Sequence, residues 1–372
     1  MLEIDVRKHS PGLDLEIAFN VEKTGITALF GRSGSGKTTL ANLVAGLDHP
    51  DEGRIIAEGE VLFDSRQGIN LPPEERGIGY VFQEGRLFPH LSVEGNLRYG
   101  QMRAGRGRNR ISFDHVVGLL GIGHILTRRP RDLSGGEKQR VSIGRALLAG
   151  SRLLLMDEPL ASLDQPRKNE ILPFIEGLRD ELSVPVIYIS HAMDEIVRLT
   201  DTLVVLDRGR SVAAGPLEEI MSRLDLSPLT GRFEAGSVIA TQVEGDVKGH
   251  PLTLLRFPGG VLTVPRIKAD KGETVRVRIR ARDILLATEE PVGLSAQNVF
   301  KGRITQISEG ENGLVEILVD VGVPLWARVT AKSCLELDLV RGKQIHLILK
   351  TVAIDGASLG GRRRVEQKKT LW

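Results

Sequence analysis

The eight residues Gly31–Thr38, GRSGSGKT, have the composition and spacing of a loop that binds phosphate. They follow the apolar stretch GITALF and open the stretch KTTLANLVAGL, which predicts a strand, a glycine-rich loop and a helix. In that arrangement backbone N–H groups and the helix N-terminus surround an anion, Lys37 reaches the β- and γ-phosphates, and the Thr38 hydroxyl ligates Mg²⁺. The residues predicted to contact a nucleotide here are Gly31, Arg32, Ser33, Gly34, Ser35, Gly36, Lys37 and Thr38. The full pattern disfavours an incidental glycine-rich turn, but it does not separate kinase, GTPase, motor and transporter.

Two acidic residues, Asp157 and Glu158, follow another apolar stretch in the segment RLLLMDEP. A buried strand that delivers an acidic residue at its carboxyl end is where a parallel sheet places ligand chemistry. We expect Asp157 to hold Mg²⁺ through water and Glu158 to polarise the attacking water as general base. An acidic strand cap before Pro159 would explain the pair taken alone, but not its occurrence together with the phosphate loop.

A third motif, LSGGEKQR, begins at Leu133 and predicts a capped helix. Ser134 is suited to the N-cap, Glu137 to a capping box, and Gly135 and Gly136 leave their N–H groups unobstructed. Such a helix tip attracts an anion although it has no lysine of its own. The octet resembles the signature of the ABC ATPase family. In that family the signature contacts the γ-phosphate of ATP held by the opposite subunit, so the resemblance implies a head-to-tail homodimer around two ATP molecules.

Three further positions match the same family in order. The resemblance implies that Gln83 senses Mg²⁺ and the attacking water and links to a membrane subunit. It implies that Asp164, in the run SLD from Ser162, belongs to the loop that crosses the dimer interface. It also implies that His191 is the switch histidine that holds the γ-phosphate. The catalytic set is therefore Glu158, His191 and Gln83, and the Mg²⁺ set is Thr38, Gln83 and Asp157.

One family feature is missing near the N-terminus. The family stacks an aromatic side chain from its first strands on adenine, whereas no Tyr or Trp precedes Tyr80 in this sequence. His9 lies near the usual position. The choice of ATP over GTP therefore rests on the resemblance.

The elements that position these residues follow from the hydrophobic pattern. Residues 2–19 alternate polar and apolar side chains, as strands of an antiparallel sheet do. From Gly25 to about residue 223, apolar strands alternate with amphipathic helices, which indicates a mostly parallel sheet covered on both faces. Beyond about Leu226, short strand-like segments are separated by Gly, Pro, Asp or Asn. The predicted fold is an α/β P-loop NTPase, an ABC ATPase cassette with an antiparallel β subdomain and a helical subdomain, followed by an all-β OB-like barrel.

Four regions are predicted along the chain. They are an ATPase domain at 1–230, a β-rich connecting segment or first half-barrel at 231–292, a barrel at 293–355 and a basic tail at 356–372. The barrel resembles the molybdate-binding Mop domain, whose run S-A-R-N is followed by a glycine. Here the run is SAQN from Ser295 to Asn298, with Gly302 after it, and Gln297 replaces an arginine that would give an anion charge assistance. Molybdate at the barrel, contacted by Ser295 and Asn298, is one expectation; a dimerisation or purely structural role is the other.

Composition bounds the remaining possibilities. The 50 basic and 48 acidic residues leave a net charge of +2, which gives no global case for nucleic acid, and aromatic residues are only 4%. The single cysteine, Cys334, excludes an intramolecular disulfide. Glu3 and Asp5 argue against a signal peptide, and no apolar stretch approaches the roughly 20 residues of a membrane span. Two basic segments, 103–110 and the tail, are expected to be a solvated loop and a disordered end, with contact to anionic lipid as the alternative for the tail.

Taken together, the cassette and the barrel resemble the ATP-binding subunits of bacterial molybdate ABC importers over nearly the whole chain. The resemblance implies ATP hydrolysis coupled to transport, two integral-membrane permease subunits, a periplasmic substrate-binding protein and a position on the cytoplasmic face of the inner membrane. The stretch after Gln83, with Leu87 and Phe88, is where such subunits receive the permease. The alternatives are an importer for sulfate, tungstate, iron or a polyol, or, in a different class, a soluble oxyanion-sensing or nucleic-acid regulator.

Overall fold

The computed structural model describes residues 1–21, 25–103, 111–181, 184–226, 236–309, 313–354 and 359–363. The chain divides into two compact units, Met1–Gly215 and Pro216–Trp372. Among the described residues, no helix is long and apolar enough to cross a membrane.

The first unit is built around one eleven-stranded sheet with the order β6-β5-β4-β1-β2-β11-β10-β3-β9-β8-β7. Its strands are β1 Leu2–Ser10, β2 Leu13–Val21, β3 Ile26–Phe30, β4 Glu52–Ala57, β5 Glu60–Asp64, β6 Ile69–Asn70, β7 Ile78–Val81, β8 Leu153–Asp157, β9 Val186–Ile189, β10 Thr202–Asp207 and β11 Arg210–Pro216. Its helices are α1 Lys37–Ala45, α2 Pro73–Arg76, α3 Val93–Arg103, α4 Phe113–Leu119, α5 Gly135–Leu148, α6 Gln165–Glu181 and α7 Met193–Leu199.

The two halves of this sheet differ in direction. β1 pairs antiparallel with β2 and β4, and β4 with β5, whereas β10, β3, β9, β8 and β7 form a parallel series. The parallel strands β3 and β9 are buried along their whole length, because helices cover both faces of this half. Their carboxyl ends lie at one edge of the sheet, where the phosphate loop, Asp157 and the segment leading to His191 all begin. The predicted cassette is confirmed.

The second unit is predominantly β-structure, as predicted. It contains α8 Leu217–Met221, β12 Gly236–Asp246, β13 Leu252–Phe257, β14 Gly260–Pro265, β15 Thr274–Arg280, β16 Ile284–Ala287, β17 Asn298–Glu309, β18 Leu314–Asp320, β19 Pro324–Thr330, α9 Ala331–Glu336, β20 Gln344–Leu349 and β21 Leu359–Arg363. Two five-stranded antiparallel sheets, β14-β13-β12-β15-β21 and β16-β20-β17-β18-β19, share one hydrophobic core. Leu255 and Val277 of the first sheet and Ile317 and Leu347 of the second all belong to that core.

The division between the units falls earlier in the chain than residue 230. Helix α8 belongs to the second unit because Glu218 accepts a hydrogen bond from Arg276 at 2.6 Å and the Ser222 carbonyl accepts one from Trp326 Nε1 at 3.0 Å. The predicted limits of the connecting segment remain predictions.

The expectation of a disordered tail is wrong for its first part. Residues Leu359–Arg363 form β21, which pairs antiparallel with β15. Backbone pairing with a neighbouring strand supplies order that the sequence LGGRR does not suggest. Residues 364–372 lie outside the described residues, as do residues 104–110 of the predicted basic loop; Arg103 itself ends α3.

Candidate nucleotide site

The phosphate loop joins the buried strand β3 to helix α1, and its backbone requires glycine. Gly34 and Gly36 have φ values of 79° and 100°, in the left-handed region that side chains disfavour. A Cβ atom on Gly31 would lie 2.2 Å from the Leu206 carbonyl oxygen of β10. These three glycines therefore allow the loop to curl tightly between the sheet edge and the first turn of α1.

Lys37 folds back over this loop. Its ammonium donates hydrogen bonds to the carbonyl oxygens of Gly31 at 2.8 Å and Arg32 at 3.0 Å. Burial lowers the pKa of Lys37, while the nearby carboxylates of Glu158 and Asp157 act in the opposite direction. A buried ammonium held by neutral carbonyls can exchange them for phosphate oxygens, which form stronger, charge-assisted hydrogen bonds.

Asp157 ends β8 between two polar partners, Thr38 and Tyr80. Its Oδ1 lies 3.5 Å from the Thr38 hydroxyl, and its Oδ2 accepts a hydrogen bond from the Tyr80 hydroxyl at 3.2 Å. Burial raises the pKa of Asp157, and the hydrogen bonds from Thr38 and Tyr80 oppose that rise. The Tyr80 hydroxyl also lies 3.4 Å from Asn42 Oδ1.

Glu158 faces a different partner. Its Oε1 lies 3.4 Å from His191 Nδ1, and its backbone N–H donates to the Ile189 carbonyl at 3.0 Å. The φ of Glu158 is 46°, a left-handed backbone conformation that is uncommon for residues other than glycine, asparagine and aspartate. Strained backbone at the end of a sheet strand is typical of functional positions, because it fixes a side chain that a relaxed turn would not.

A cavity of about 510 Å³ connects Thr38, in the first turn of α1, to the acidic pair, whereas Lys37 and His191 do not line it. Its lining includes Thr38, Asn42, Tyr80, Gln83, Asp157 and Glu158. The hydroxyl, amide and carboxylate oxygens here are the hard ligands that Mg²⁺ prefers, and a single close carboxylate suits an ion that takes its other ligands from water and phosphate. In the described part of the chain, no three His, Cys, Asp or Glu side chains are arranged so that they could hold a metal ion by themselves. The residues present therefore fit Mg²⁺ bound together with a nucleotide.

Sequence reasoning missed Tyr80 and Asn42 as parts of this cavity. Tyr80 stacks on Phe82 with ring centroids 4.2 Å apart, and the guanidinium of Arg86 lies 4.3 Å from the Phe82 ring. Burial, and then the charge of Asp157, raises the pKa of Tyr80, so its hydroxyl remains a donor. The sequence feature that could have indicated Tyr80 is an aromatic residue near the carboxyl end of β7, the strand that pairs with the one carrying Asp157.

The N-terminus of α5, which carries the LSGGEKQR motif, contacts the SLD loop and α6 and does not line the cavity described above. Ser134 Oγ accepts from the Glu137 N–H, and the Ser134 N–H donates to Glu137 Oε2 at 2.7 Å, which completes the capping box. A Cβ atom on Gly135 would lie 3.1 Å from Leu163, and one on Gly136 would lie 3.3 Å from Ile171. Ser134, Gly135 and Gly136 therefore pack beside the SLD loop, and they do not line the cavity that holds Asp157.

Asp164 caps the helix that follows the SLD loop. Its Oδ1 accepts from the Arg167 N–H at 3.1 Å and its carbonyl accepts from the Lys168 N–H at 2.9 Å. Asp164 does not line the cavity either. Within one chain the contacts of the predicted site residues define two sets. One joins Lys37, Thr38, Asp157, Glu158 and His191, and the other joins the helix tip at Ser134–Gly136 to the SLD loop that ends at Asp164.

Downstream of Gln83, aromatic and arginine side chains form a cluster. Phe88 packs against Tyr99 with centroids 4.5 Å apart, and the Arg145 guanidinium lies 4.9 Å from the Phe88 ring. Leu87 is half-buried and packs on the helical core. Near the N-terminus, His9 is exposed and its Nδ1 lies 3.0 Å from Asp14 Oδ1, which raises the pKa of His9.

In the SAQN segment of the second unit, the Asn298 side chain is already hydrogen-bonded within the protein. Asn298 is buried, its Oδ1 accepts from the Thr263 N–H at 2.7 Å, and its Nδ2 donates to the Thr263 carbonyl at 2.9 Å. The amide of Asn298 is thereby engaged in joining β17 to β14. Ser295 and Gln297 are exposed, and Gln297 Oε1 lies 3.4 Å from the Thr351 hydroxyl.

Two family models match the chain. Residues 15–161 match the model described as ABC transporter, and residues 294–355 match the model described as TOBE domain. The second match covers the SAQN segment and the strands β17 to β20.

Curated relatives match almost the full chain. The molybdenum import ATP-binding protein ModC of Paramagnetospirillum magneticum is 49% identical over 95% of this chain and 98% of its own length. The protein of the same name from Rhodospirillum rubrum is 50% identical over 95% of this chain and 97% of its own length.

Among solved structures, CbiO1 from Clostridium perfringens, part of the ABC transporter complex CbiONQ, superposes with a TM-score of 0.51. It is 26% identical and covers 61% of this chain and 92% of its own. The coverage is that expected when the cassette aligns and the barrel does not.

Proposed function

The chain belongs to the family of molybdenum import ATP-binding proteins, and from that premise we propose how its residues bind ATP and drive import. The chain is the ATP-hydrolysing subunit of an ABC importer for molybdate, as the sequence predicted. Identity near 50% along 95% of the chain carries this assignment over the sulfate, tungstate, iron, polyol and regulator alternatives. Geometry supports it, because the cavity joins the end of the phosphate loop to the acidic pair.

The phosphate loop, Gly31–Thr38, supplies the binding step. Its backbone N–H groups and the tip of α1 receive the phosphates, and the Lys37 ammonium leaves its carbonyl partners for the β- and γ-phosphate oxygens. Thr38, Gln83 and Asp157 would hold Mg²⁺ through oxygen atoms. When bound, Mg²⁺ neutralises phosphate charge. Tyr80 orients the Asp157 carboxylate toward Thr38 by holding its other oxygen.

Glu158 supplies the base for hydrolysis. Its carboxylate accepts a proton from the attacking water, and its left-handed backbone holds it away from Asp157. His191, which lies 3.4 Å from Glu158 Oε1, contacts the γ-phosphate and keeps the base in place. Gln83, in the lining of the same cavity, helps to position the water.

The second set of residues completes the site of a partner copy. Ser134, Gly135 and Gly136 form a helix tip with positive field, but they lie outside their own cavity. In a head-to-tail homodimer this tip meets the γ-phosphate bound by the other chain, and Asp164 crosses the interface beside it. Dimers of ATPase subunits with membrane permeases are typical of the importer family.

Contact with the membrane comes through partners. Phe88 follows Gln83 closely in the chain and clusters with Tyr99 of α3 and Arg145 of α5, so these aromatic and cationic groups are proposed to contact a permease subunit. Two permease subunits, supplied with molybdate by a periplasmic binding protein, would hold this chain at the cytoplasmic face of the inner membrane. Closure of the ATPase dimer then opens the pathway, and hydrolysis resets it.

We extend the proposal to molybdate at the barrel. Since Asn298 is engaged by Thr263, the neutral donors that remain in the SAQN segment are the Ser295 hydroxyl and the Gln297 amide. Neutral donors bind an oxyanion more weakly than an arginine does. Weak binding suits a sensor of accumulated molybdate rather than a storage site.

The whole complex, reconstituted in lipid vesicles, tests the proposed function. ATP hydrolysis is measured with the periplasmic receptor loaded with molybdate, tungstate or sulfate. We expect the molybdate-loaded receptor to stimulate hydrolysis, and the Glu158→Gln complex to show no stimulation. Stimulation by sulfate alone would overturn the substrate assignment, and absence of hydrolysis in the wild-type complex would overturn the function.

A further inference from the structure

A buried carboxylate, Glu195, lies in the first turn of α7 and has no role in the hydrolysis scheme above. Glu195 is 2% exposed. Its Oε2 accepts hydrogen bonds from the Tyr188 hydroxyl at 2.8 Å and from Ser190 Oγ at 2.7 Å. Its Oε1 accepts one from Lys168 Nζ at 2.8 Å. Both oxygens are thus satisfied, and the carboxylate forms an ion pair that is largely removed from water.

Stability alone does not account for this ion pair. Removing two charges from water costs free energy that their attraction often fails to recover, and a packed apolar pair of similar volume is frequently as stable. A fully satisfied buried network does, however, fix the relative position of the elements it joins. The role of Glu195 is therefore sought in the elements whose relative position it fixes, and not in its contribution to the free energy of folding.

Each oxygen of Glu195 serves a different functional loop. On one side, Ser190 Oγ donates to Oε2 and accepts from the Ala192 N–H at 3.0 Å, so the residues before and after His191 are both held. On the other side, Lys168 lies one turn into α6, and its N–H donates to the Asp164 carbonyl at 2.9 Å. The carboxylate therefore connects the His191 segment to α6, the helix that Asp164 caps.

We propose that Glu195 is a positioning residue that couples the γ-phosphate contact at His191 to the SLD loop at the dimer interface. This inference rests on the proposed function of both segments. His191 lies beside Glu158, so a shift of its segment when the γ-phosphate is bound or lost moves Ser190, then Glu195, then Lys168. The partner's site receives that shift through Asp164. Hydrolysis in the two sites of a dimer thereby becomes cooperative.

The same two helices contain a matched control. Arg198 of α7 donates to Glu176 of α6 at 2.7 and 3.0 Å, a second ion pair between the same elements. It lies at the far end of α7, away from His191 and Asp164, and its side chains are 25% and 19% exposed. Glu176→Gln removes this pair without touching either loop.

The experiment compares Lys168→Met with Glu176→Gln in the complete importer complex in lipid vesicles. Measured quantities are kcat, the KM for ATP, the Hill coefficient for ATP and the thermal unfolding midpoint. For Lys168→Met we expect kcat to fall about tenfold and the Hill coefficient to move toward 1, with nucleotide binding unchanged. Glu176→Gln should keep the wild-type kcat and Hill coefficient even where its unfolding midpoint falls. Lys168→Arg, which keeps the charge, should recover most of the cooperativity.

A second variant covers the case in which Lys168→Met fails to fold. Tyr188→Phe removes one hydroxyl and leaves the ion pair, and it should lower the Hill coefficient in the same direction with a smaller loss of kcat. Equal losses in Lys168→Met and Glu176→Gln would overturn the inference, because both pairs would then only hold α6 against α7. A wild-type complex without ATP hydrolysis would instead overturn the proposed function, and the inference that rests on it would fall for that separate reason.

Discussion

The phosphate site of the first unit and the SAQN segment of the second treat their polar groups in opposite ways. Around Asp157, the contact with Thr38 is long, at 3.5 Å, and the carboxylate faces a cavity. In the barrel, the Asn298 amide is buried and bonded twice to Thr263 at 2.7 and 2.9 Å. A polar group held by incomplete contacts is available to a ligand, whereas one that is already satisfied serves the fold.

The largest expected effect lies in the cassette. Glu158→Gln keeps the shape of the side chain and removes the base, so kcat should fall by about 10³-fold while ATP binding is retained. Phosphate release and calorimetric titration with ATP measure the two quantities separately. Unchanged steady-state hydrolysis would show that Glu158 is not the base.

The next effect lies in the barrel. Asn298→Ala removes both hydrogen bonds from the buried Asn298 amide to the half-buried Thr263, so the free energy of unfolding of the second unit should fall by about 2 kcal/mol. Urea unfolding followed by Trp326 fluorescence measures this loss, and ATP hydrolysis by the isolated subunit serves as the control. A stable Asn298→Ala protein that lost molybdate binding would mean that Asn298 is a ligand and the comparison is wrong.

Restoring charge to the barrel sharpens the contrast further. Gln297→Arg supplies a cationic fork at an exposed position, so molybdate affinity should rise about tenfold if the barrel binds the anion. Titration calorimetry with molybdate and with sulfate measures the gain. Absence of molybdate binding in both proteins would leave the barrel with a dimerisation or structural role.

The smallest effect is a gain of stability at the phosphate site. Burial raises the pKa of Asp157, so its ionised form destabilises the folded, ligand-free protein. Asp157→Asn should therefore raise the free energy of unfolding at neutral pH by about 1 kcal/mol or less. The gain should vanish as the pH falls below the unfolded pKa of about 4, because the carboxyl is then neutral in both states. A loss of stability at neutral pH would show that the site is already satisfied without ligand.

Local patterns made the chemical motifs predictable. The phosphate loop depends on glycines that permit φ values of 79° and 100°, and the capping box depends on a serine and a glutamate three residues apart. Both are properties of a few consecutive residues, so the sequence contains the whole cause. The strand that precedes the loop, β3, was also predictable, because a buried parallel strand is a continuous apolar run.

Contacts between distant segments were not predictable in the same way. Tyr80 and Asp157 are 77 residues apart, and their hydrogen bond exists only because β7 pairs with β8. Asn298 had the ordinary properties of a turn residue until the structure placed it against Thr263. The strand β21 contains two glycines and two arginines, and only its neighbour β15 gives it order.

The most direct test of the account measures ATP hydrolysis per subunit as the concentration of the isolated subunit rises. Because Lys37 and Ser134 lie in separate sets within one chain, we predict a rate near zero for monomers. The rate per subunit should rise as dimers form and then reach a plateau. Light scattering measures dimer formation in the same solutions. Ser134→Arg should bind ATP and never reach that plateau. A specific activity that stays constant and full in a solution shown to be monomeric would contradict the account.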